Sequence, residues 1–301
     1  MLSVFNLYAA GAMPLEAYQT YLLTFLTARL PDAALAWLKN QLDSEASDKE
    51  FYLAFSVAPR FVGKASLNLS AEELEQARQL RPGFHPRHWT VDQAVRTLLL
   101  LRAPHQTPTD YTALLNRLFT AADLSELTTL YAALPLLPYP ETHMKRAAEG
   151  VRTTMTQVFD AIALNNPYPH DYLPTEAWNQ MILKAVFNVR PLHQIYGLDQ
   201  RHNAALAQML VDYAHERWAA GRTLSPEVWR LVSPHLTVNN IPDIQRLLLS
   251  SNTLENQAAA LTLVESDLPM ARELLSQHPE IKTTITEACT WQSIGEKAYA
   301  S

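Results

Sequence analysis

Between Glu176 and Pro234 the chain gathers groups suited to acid–base and anion chemistry among large aromatic rings. Lys184, Arg190, Asp199, Asp212, His215, Glu216 and Arg217 stand there beside Trp178, Phe187, Tyr213, Trp218 and Trp229. His215 and Glu216 offer an imidazole and a carboxylate, the usual partners in proton transfer. The guanidinium groups offer forked donors for carboxylates or phosphates. A second basic pair, Arg60 and Lys64, lies one helical turn apart and suits an anionic ligand. The ligand-binding candidates are therefore Arg60, Lys64, Asn179, Lys184, Arg190, Asp199, Asp212, His215, Glu216 and Arg217. Structural ion-pair networks leave the same pattern, so no residue is given a catalytic role.

Two helices must position most of these groups. In the segment 203–220, Leu206, Met209, Leu210 and Tyr213 form one stripe, and Ala207, Val211, Ala214 and Trp218 widen it. So wide an apolar arc predicts packing on two sides. Arg217 falls inside the arc, which predicts a buried guanidinium needing a partner, because an isolated buried charge is very unfavourable. Asp212 and Glu216 are like charges at i, i+4, for which Lys184 or Arg190 are the candidate counter-ions. The segment 176–188 repeats the theme, with Asn179 set within a stripe of Trp178, Ile182, Ala185 and Val186.

Helical periodicity runs through the rest of the chain as well. Leu15–Leu30 aligns Tyr18, Leu22, Phe25 and Leu26, and Ser70 with Glu73 has the spacing of a capping box. Thr90 precedes a strongly apolar helix carrying Val91, Ala94, Val95, Leu98 and Leu99. A long helix is predicted over 140–164, a loop over 165–175, and a HEAT-type pair at 254–264 and 269–275. The expected fold is all-α, an irregular α-α solenoid or HEAT-like helical array forming a single unit over 1–301. A subdivision into 1–138 and 139–301 is compatible with the pattern.

Composition narrows the function. Among 301 residues only seven are glycine and nineteen are proline, which disfavours hairpin-rich β folds and glycine-rich phosphate loops. A formal charge of −6 lacks the basic footprint that nucleic-acid binding requires. The single cysteine, Cys289, excludes an intramolecular disulfide and Cys-rich metal sites. The helical zinc pattern needs a second histidine four residues after His215, and position 219 is alanine. His85-Pro86-Arg87-His88 has ligand-like spacing without an acidic neighbour in sequence. No metal and no cofactor is expected. The apolar stretch Leu130–Tyr139 is too short to span a bilayer and is broken by Pro135 and Pro138. The N-terminus lacks a basic region, so the expectation is a cytoplasmic protein without membrane insertion.

Several strings resemble the EboA-domain family. The run Trp178-Asn179-Gln180-Met181-Ile182-Leu183-Lys184-Ala185 is similar to its signature, as is Gly197-Leu198-Asp199 followed by Asp212-Tyr213-Ala214-His215-Glu216-Arg217-Trp218. Ser225-Pro226-Glu227-Val228-Trp229-Arg230 looks like the continuation. Pro59-Arg60-Phe61-Val62-Gly63-Lys64 and Phe84-His85-Pro86-Arg87-His88-Trp89 match upstream, so the resemblance covers about residues 50–250. It implies membership of a bacterial cassette for making or trafficking a secondary metabolite. The companion proteins resemble a UbiA-type prenyltransferase, a sugar-phosphate cyclase, a TatD-type metal hydrolase, a sugar-isomerase-like barrel and a nucleotide phosphodiesterase. It carries over no catalytic residues. The leading expectation is a non-catalytic accessory protein that binds an intermediate, a small anionic or polyol ligand, or another cassette protein. A small-molecule enzyme, such as a hydrolase, lyase or isomerase acting on a polyol or prenylated intermediate, is the alternative.

Overall fold

Short polar residues and prolines set the boundaries of the helices. A computed structural model describes residues 15–44, 47–105, 107–277 and 289–300, and every regular element within them is helical. The chain divides into two compact units, Met1–Leu173 and Pro174–Ser301. The subdivision compatible with the sequence pattern lies at 138/139.

The first unit contains α1 (Leu15–Arg29), α2 (Asp32–Asp43), α3 (Asp48–Val62), α4 (Ala71–Leu80) and α5 (Val91–Leu101). It continues with α6 (Pro108–Ala121), α7 (Leu124–Ala133), α8 (Met144–Arg152), α9 (Thr156–Ala163) and α10 (Tyr168–Tyr172). Ser47, Ser70, Thr107 and Asp123 cap their helices with reciprocal capping boxes, in which the residue three along returns the bond. The stripe of Tyr18, Leu22, Phe25 and Leu26 is buried as its spacing predicts. At the centre stands α5, where every residue except Gln93 is buried, packed against α1, α2, α3 and α7.

Two predicted elements differ. The long helix over 140–164 is broken: a 3-10 turn at Pro140–His143 leads into α8, which stops before Thr153. The Thr153 hydroxyl oxygen accepts the Met155 N–H at 3.2 Å, a local bond that competes with continuation of the helix. The predicted loop over 165–175 contains the one-turn helix α10. Asn166 starts it by accepting the Tyr168 N–H at 3.0 Å, and the prolines at its first turn forfeit no helical bond.

The second unit contains α11 (Thr175–Phe187), α12 (Ala204–Ala219), α13 (Trp229–Val232), α14 (Ile241–Leu248), α15 (Thr253–Glu265), α16 (Pro269–Gln277) and α17 (Trp291–Tyr299). α15 packs against α13, α14, α16 and α17. Trp178 and Trp229 belong to its core, each almost wholly buried.

Candidate functional site

Pro59 lies inside α3 and brings no N–H, so the carbonyl of Phe55 one turn earlier loses its helical donor. Arg96, on α5, fills that place: its Nε donates to Phe55 O at 2.9 Å, and its guanidinium carbon lies 5.3 Å from the centre of the Phe55 ring. The same guanidinium reaches Asp92 Oδ2 and Ser125 Oγ, both at 3.2 Å, and stands 3.7 Å from Glu126 Oε1. Only 2% of the Arg96 and Asp92 side chains is exposed, so this is a buried ion pair with its donors satisfied. It ties α3, the start of α5 and the start of α7 together.

A cavity of about 540 Å³ opens over the Asp92 side of this pair. Thr90 caps α5 at its wall and donates its hydroxyl to Asp92 Oδ1 at 2.6 Å. Gln93, Asp123, Ser125 and Gln157 add further amide, carboxylate and hydroxyl groups. Leu124 is the one fully apolar side chain among the lining residues. Thr128 adds a hydroxyl, and Lys64 and His88 complete the lining, brought there by a short antiparallel bridge. In that bridge Val91 N–H donates to Ala65 O at 2.8 Å and Leu67 N–H to Trp89 O at 3.0 Å. The segments 59–64 and 84–89, distant in sequence, thus meet at one site. The cavity presents hydroxyl, amide, carboxylate, imidazole and ammonium groups over a neutralised ionic floor, a set suited to hydrogen-bonding a hydroxyl-rich small molecule.

Of the sequence-derived candidates, Lys64 lines this cavity and Arg60 is exposed on α3. The other eight belong to the second unit, where they fall into separate local interactions. Asn179 exchanges amide bonds with Asn203 at 3.1 and 2.9 Å. Asp199 is gripped by both Nε and Nη2 of Arg230, at 2.6 and 2.5 Å, which holds its carboxyl below the ordinary range. Asp212 accepts Gln208 Nε2 at 2.8 Å, and His215 Nε2 meets Asp243 Oδ1 at 2.8 Å. Lys184 is half-buried, and burial pushes its ammonium pKa down; Arg190 Nε donates to Asn188 O at 3.1 Å.

The buried pairing expected at Glu216 and Arg217 is not formed. Glu216 is exposed, and Arg217 donates from Nε and Nη2 to Thr223 O at 3.1 and 3.0 Å, closing the turn after its own helix. Length is the reason: the aliphatic stem crosses the edge of the apolar arc while the charged head reaches solvent. The buried guanidinium belongs to Arg96 instead. Sequence reading passed over it, although Asp92 and Arg96 stand at i, i+4 inside an apolar helix, a spacing that marks an intrahelical pair.

A second buried acid was also missed. Glu227 is fully buried, with His193 Nδ1 at 3.5 Å and Arg230 Nη1 at 3.9 Å from its oxygens. Desolvation raises its pKa, while His193 and Arg230 pull the other way. Gly295 of α17 covers the pair so closely that a β-carbon there would come within 2.7 Å of Glu227 Cδ and His193 Nδ1. The couple resembles an acid–base pair in composition, but it is sealed beneath a helix and does not line the polar cavity.

Among the described residues no three His, Cys, Asp or Glu side chains form a metal-binding group, and no helix is long and apolar enough to cross a membrane. The family model for the metabolite traffic protein EboA matches residues 18–233. No curated protein and no solved structure matches the chain.

Proposed function

The chain belongs to the EboA family of metabolite traffic proteins, and from that premise we propose that it is a cytoplasmic, non-catalytic carrier of a small hydroxyl-rich metabolite. The observation that carries this reading is the polar cavity floored by the Asp92–Arg96 pair, with Lys64 and His88 at its wall. Asp92 is already neutralised by the Arg96 guanidinium and bonded by the Thr90 hydroxyl, so the floor demands no cationic ligand, and the acceptors come from the other lining side chains. A sugar or cyclitol satisfies such a surface; a monophosphate of either would add an anion for Lys64. In this reading the helical array serves as a rigid binding scaffold, and the neighbouring cassette proteins are its partners for loading and release.

Calorimetric titration with sugars, cyclitols and their monophosphates tests the proposal. Saturable binding that Lys64→Ala and Gln93→Ala weaken, at unchanged melting midpoint, supports it. Absence of binding across the set, or binding indifferent to both substitutions, overturns it.

The presence of His88 and Lys64 in one cavity favours the enzymatic alternative as the second reading. Conversion of the bound compound on prolonged incubation, abolished by His88→Ala, would replace the carrier by an enzyme.

A further inference from the structure

The C-terminus of α11 carries a backbone feature that its own packing does not explain. Val189 has φ 53, in the left-handed region, and is the β-branched residue among those with positive φ. Its N–H donates to Val186 O at 3.1 Å, and the N–H of Arg190 donates to Ala185 O at 2.8 Å. These two bonds make a Schellman ending, whose left-handed position ordinarily holds glycine or asparagine. Valine is disfavoured there because its branched side chain crowds the backbone. Burial would compensate for that strain, yet Val189 is 63% exposed and its neighbour Phe187 66%.

Both side chains line a cavity of about 290 Å³, near the lower end of small-molecule sites. Val186, Leu224, Pro226 and Leu254 extend its apolar wall. The Phe187 and Tyr213 rings stand with centroids 6.2 Å apart at 49°, a splayed pair open to a third ring. Arg217 is the one Lys, Arg, Asp or Glu among the lining residues. Its Nε and Nη2 hold Thr223 O, and its Nη1 makes no hydrogen bond among the described residues. Tyr299 lines the cavity from α17, beyond the segment matched to the family, with its hydroxyl fixed on Arg190 O at 2.5 Å.

We propose that this cavity binds a small aromatic acid, its ring against Phe187, Val189 and Tyr213 and its anionic group on Arg217 Nη1. The strain at Val189 is then explained: it holds an apolar side chain over the cavity, where glycine would offer none. The ligand covers two otherwise exposed apolar side chains and supplies the one negative charge that the lining lacks. This site belongs to the second unit and stands or falls independently of the polar cavity in the first.

The test uses the full chain and two fluorescent probes, anilinonaphthalene sulfonate and the uncharged phenylnaphthylamine. Wild type is expected to bind the sulfonate saturably at one site. Arg217→Gln weakens the sulfonate about tenfold, the size of one lost charge-assisted bond, and leaves the uncharged probe unaffected. Val189→Gly weakens both probes while its melting midpoint stays close to that of wild type, because relief of the left-handed strain and the greater unfolded-state freedom of glycine oppose each other. No saturable signal from wild type, or wild-type binding in both variants, overturns the proposal.

Discussion

Arg96 Nε donates to the carbonyl of Phe55 at 2.9 Å, the acceptor that Pro59 leaves without a helical donor. A proline in one helix and a buried arginine in another are therefore complementary, and Asp92 balances the charge at 3.2 Å.

Arg96→Met leaves the Phe55 carbonyl without its donor and the Asp92 carboxylate without its counter-ion, with only the Thr90 hydroxyl remaining on Asp92. The expected loss of unfolding free energy is about 3–5 kcal/mol, the range for breaking a buried pair from one side. Pro59→Ala restores the N–H of position 59 and lets α3 satisfy itself. In the double variant part of the loss should return, a coupling of about 1 kcal/mol in a double-mutant cycle by denaturant unfolding. Strict additivity would show that Arg96 does not compensate for Pro59.

Glu227→Gln tests the buried acid. Its folded pKa lies above its ordinary value of 4.5, chiefly through desolvation. The folded state therefore holds the proton more tightly, and this group's stabilisation is complete below 4.5 and lost as the pH rises towards the shifted value. Melting curves across that interval should fall more steeply with pH for wild type than for Glu227→Gln. At neutral pH the glutamine variant should be at least as stable. Parallel curves would remove Glu227 as a source of pH dependence.

Gly295→Ala tests how α17 is seated. The added methyl would meet Glu227 Cδ, Glu227 Oε1 and His193 Nδ1, each at 2.7 Å, so these buried side chains would have to shift. Overpacking of this kind costs about 1–3 kcal/mol. Amide exchange should accelerate across Trp291–Tyr299 in the variant, and unchanged protection there would contradict the close fit.

Glu73 closes the capping box of α4 and takes Arg29 bidentately, both bonds at 2.7 Å. Hydrogen bonding to Arg29 lowers its pKa first, with the Ser70 N–H adding to it. Its contribution is present above 4.5 and disappears as the pH falls through the depressed folded value. Glu73→Gln should cost about 1 kcal/mol at neutral pH, the scale of a lost cap and a partly exposed pair. The difference from wild type should vanish in acid; a constant difference would assign the effect to packing.

Glu216→Ala should leave unfolding free energy within about 0.5 kcal/mol of wild type, as for any exposed residue without a special role. A large loss in chemical denaturation would reinstate the buried pairing that the spacing of Glu216 and Arg217 first predicted.

The sequence by itself determined the all-helical class and most of its boundaries. Those depend on local rules: the spacing of Tyr18, Leu22, Phe25 and Leu26, and the Ser70–Glu73 box, act within one or two turns. It also marked the segments 59–64 and 84–89, but as strings without a shared purpose. Only the tertiary structure decided that Lys64 and His88 line one cavity, because the bridge between Ser66 and Thr90 joins residues far apart in the chain. Likewise the wide apolar arc of α12 did not reveal the direction of the Arg217 head, since a long flexible stem crosses from core to solvent within one residue. Which guanidinium is buried depends on acceptors from other helices, and for Arg96 that acceptor is the Phe55 carbonyl, 41 residues away and freed by Pro59.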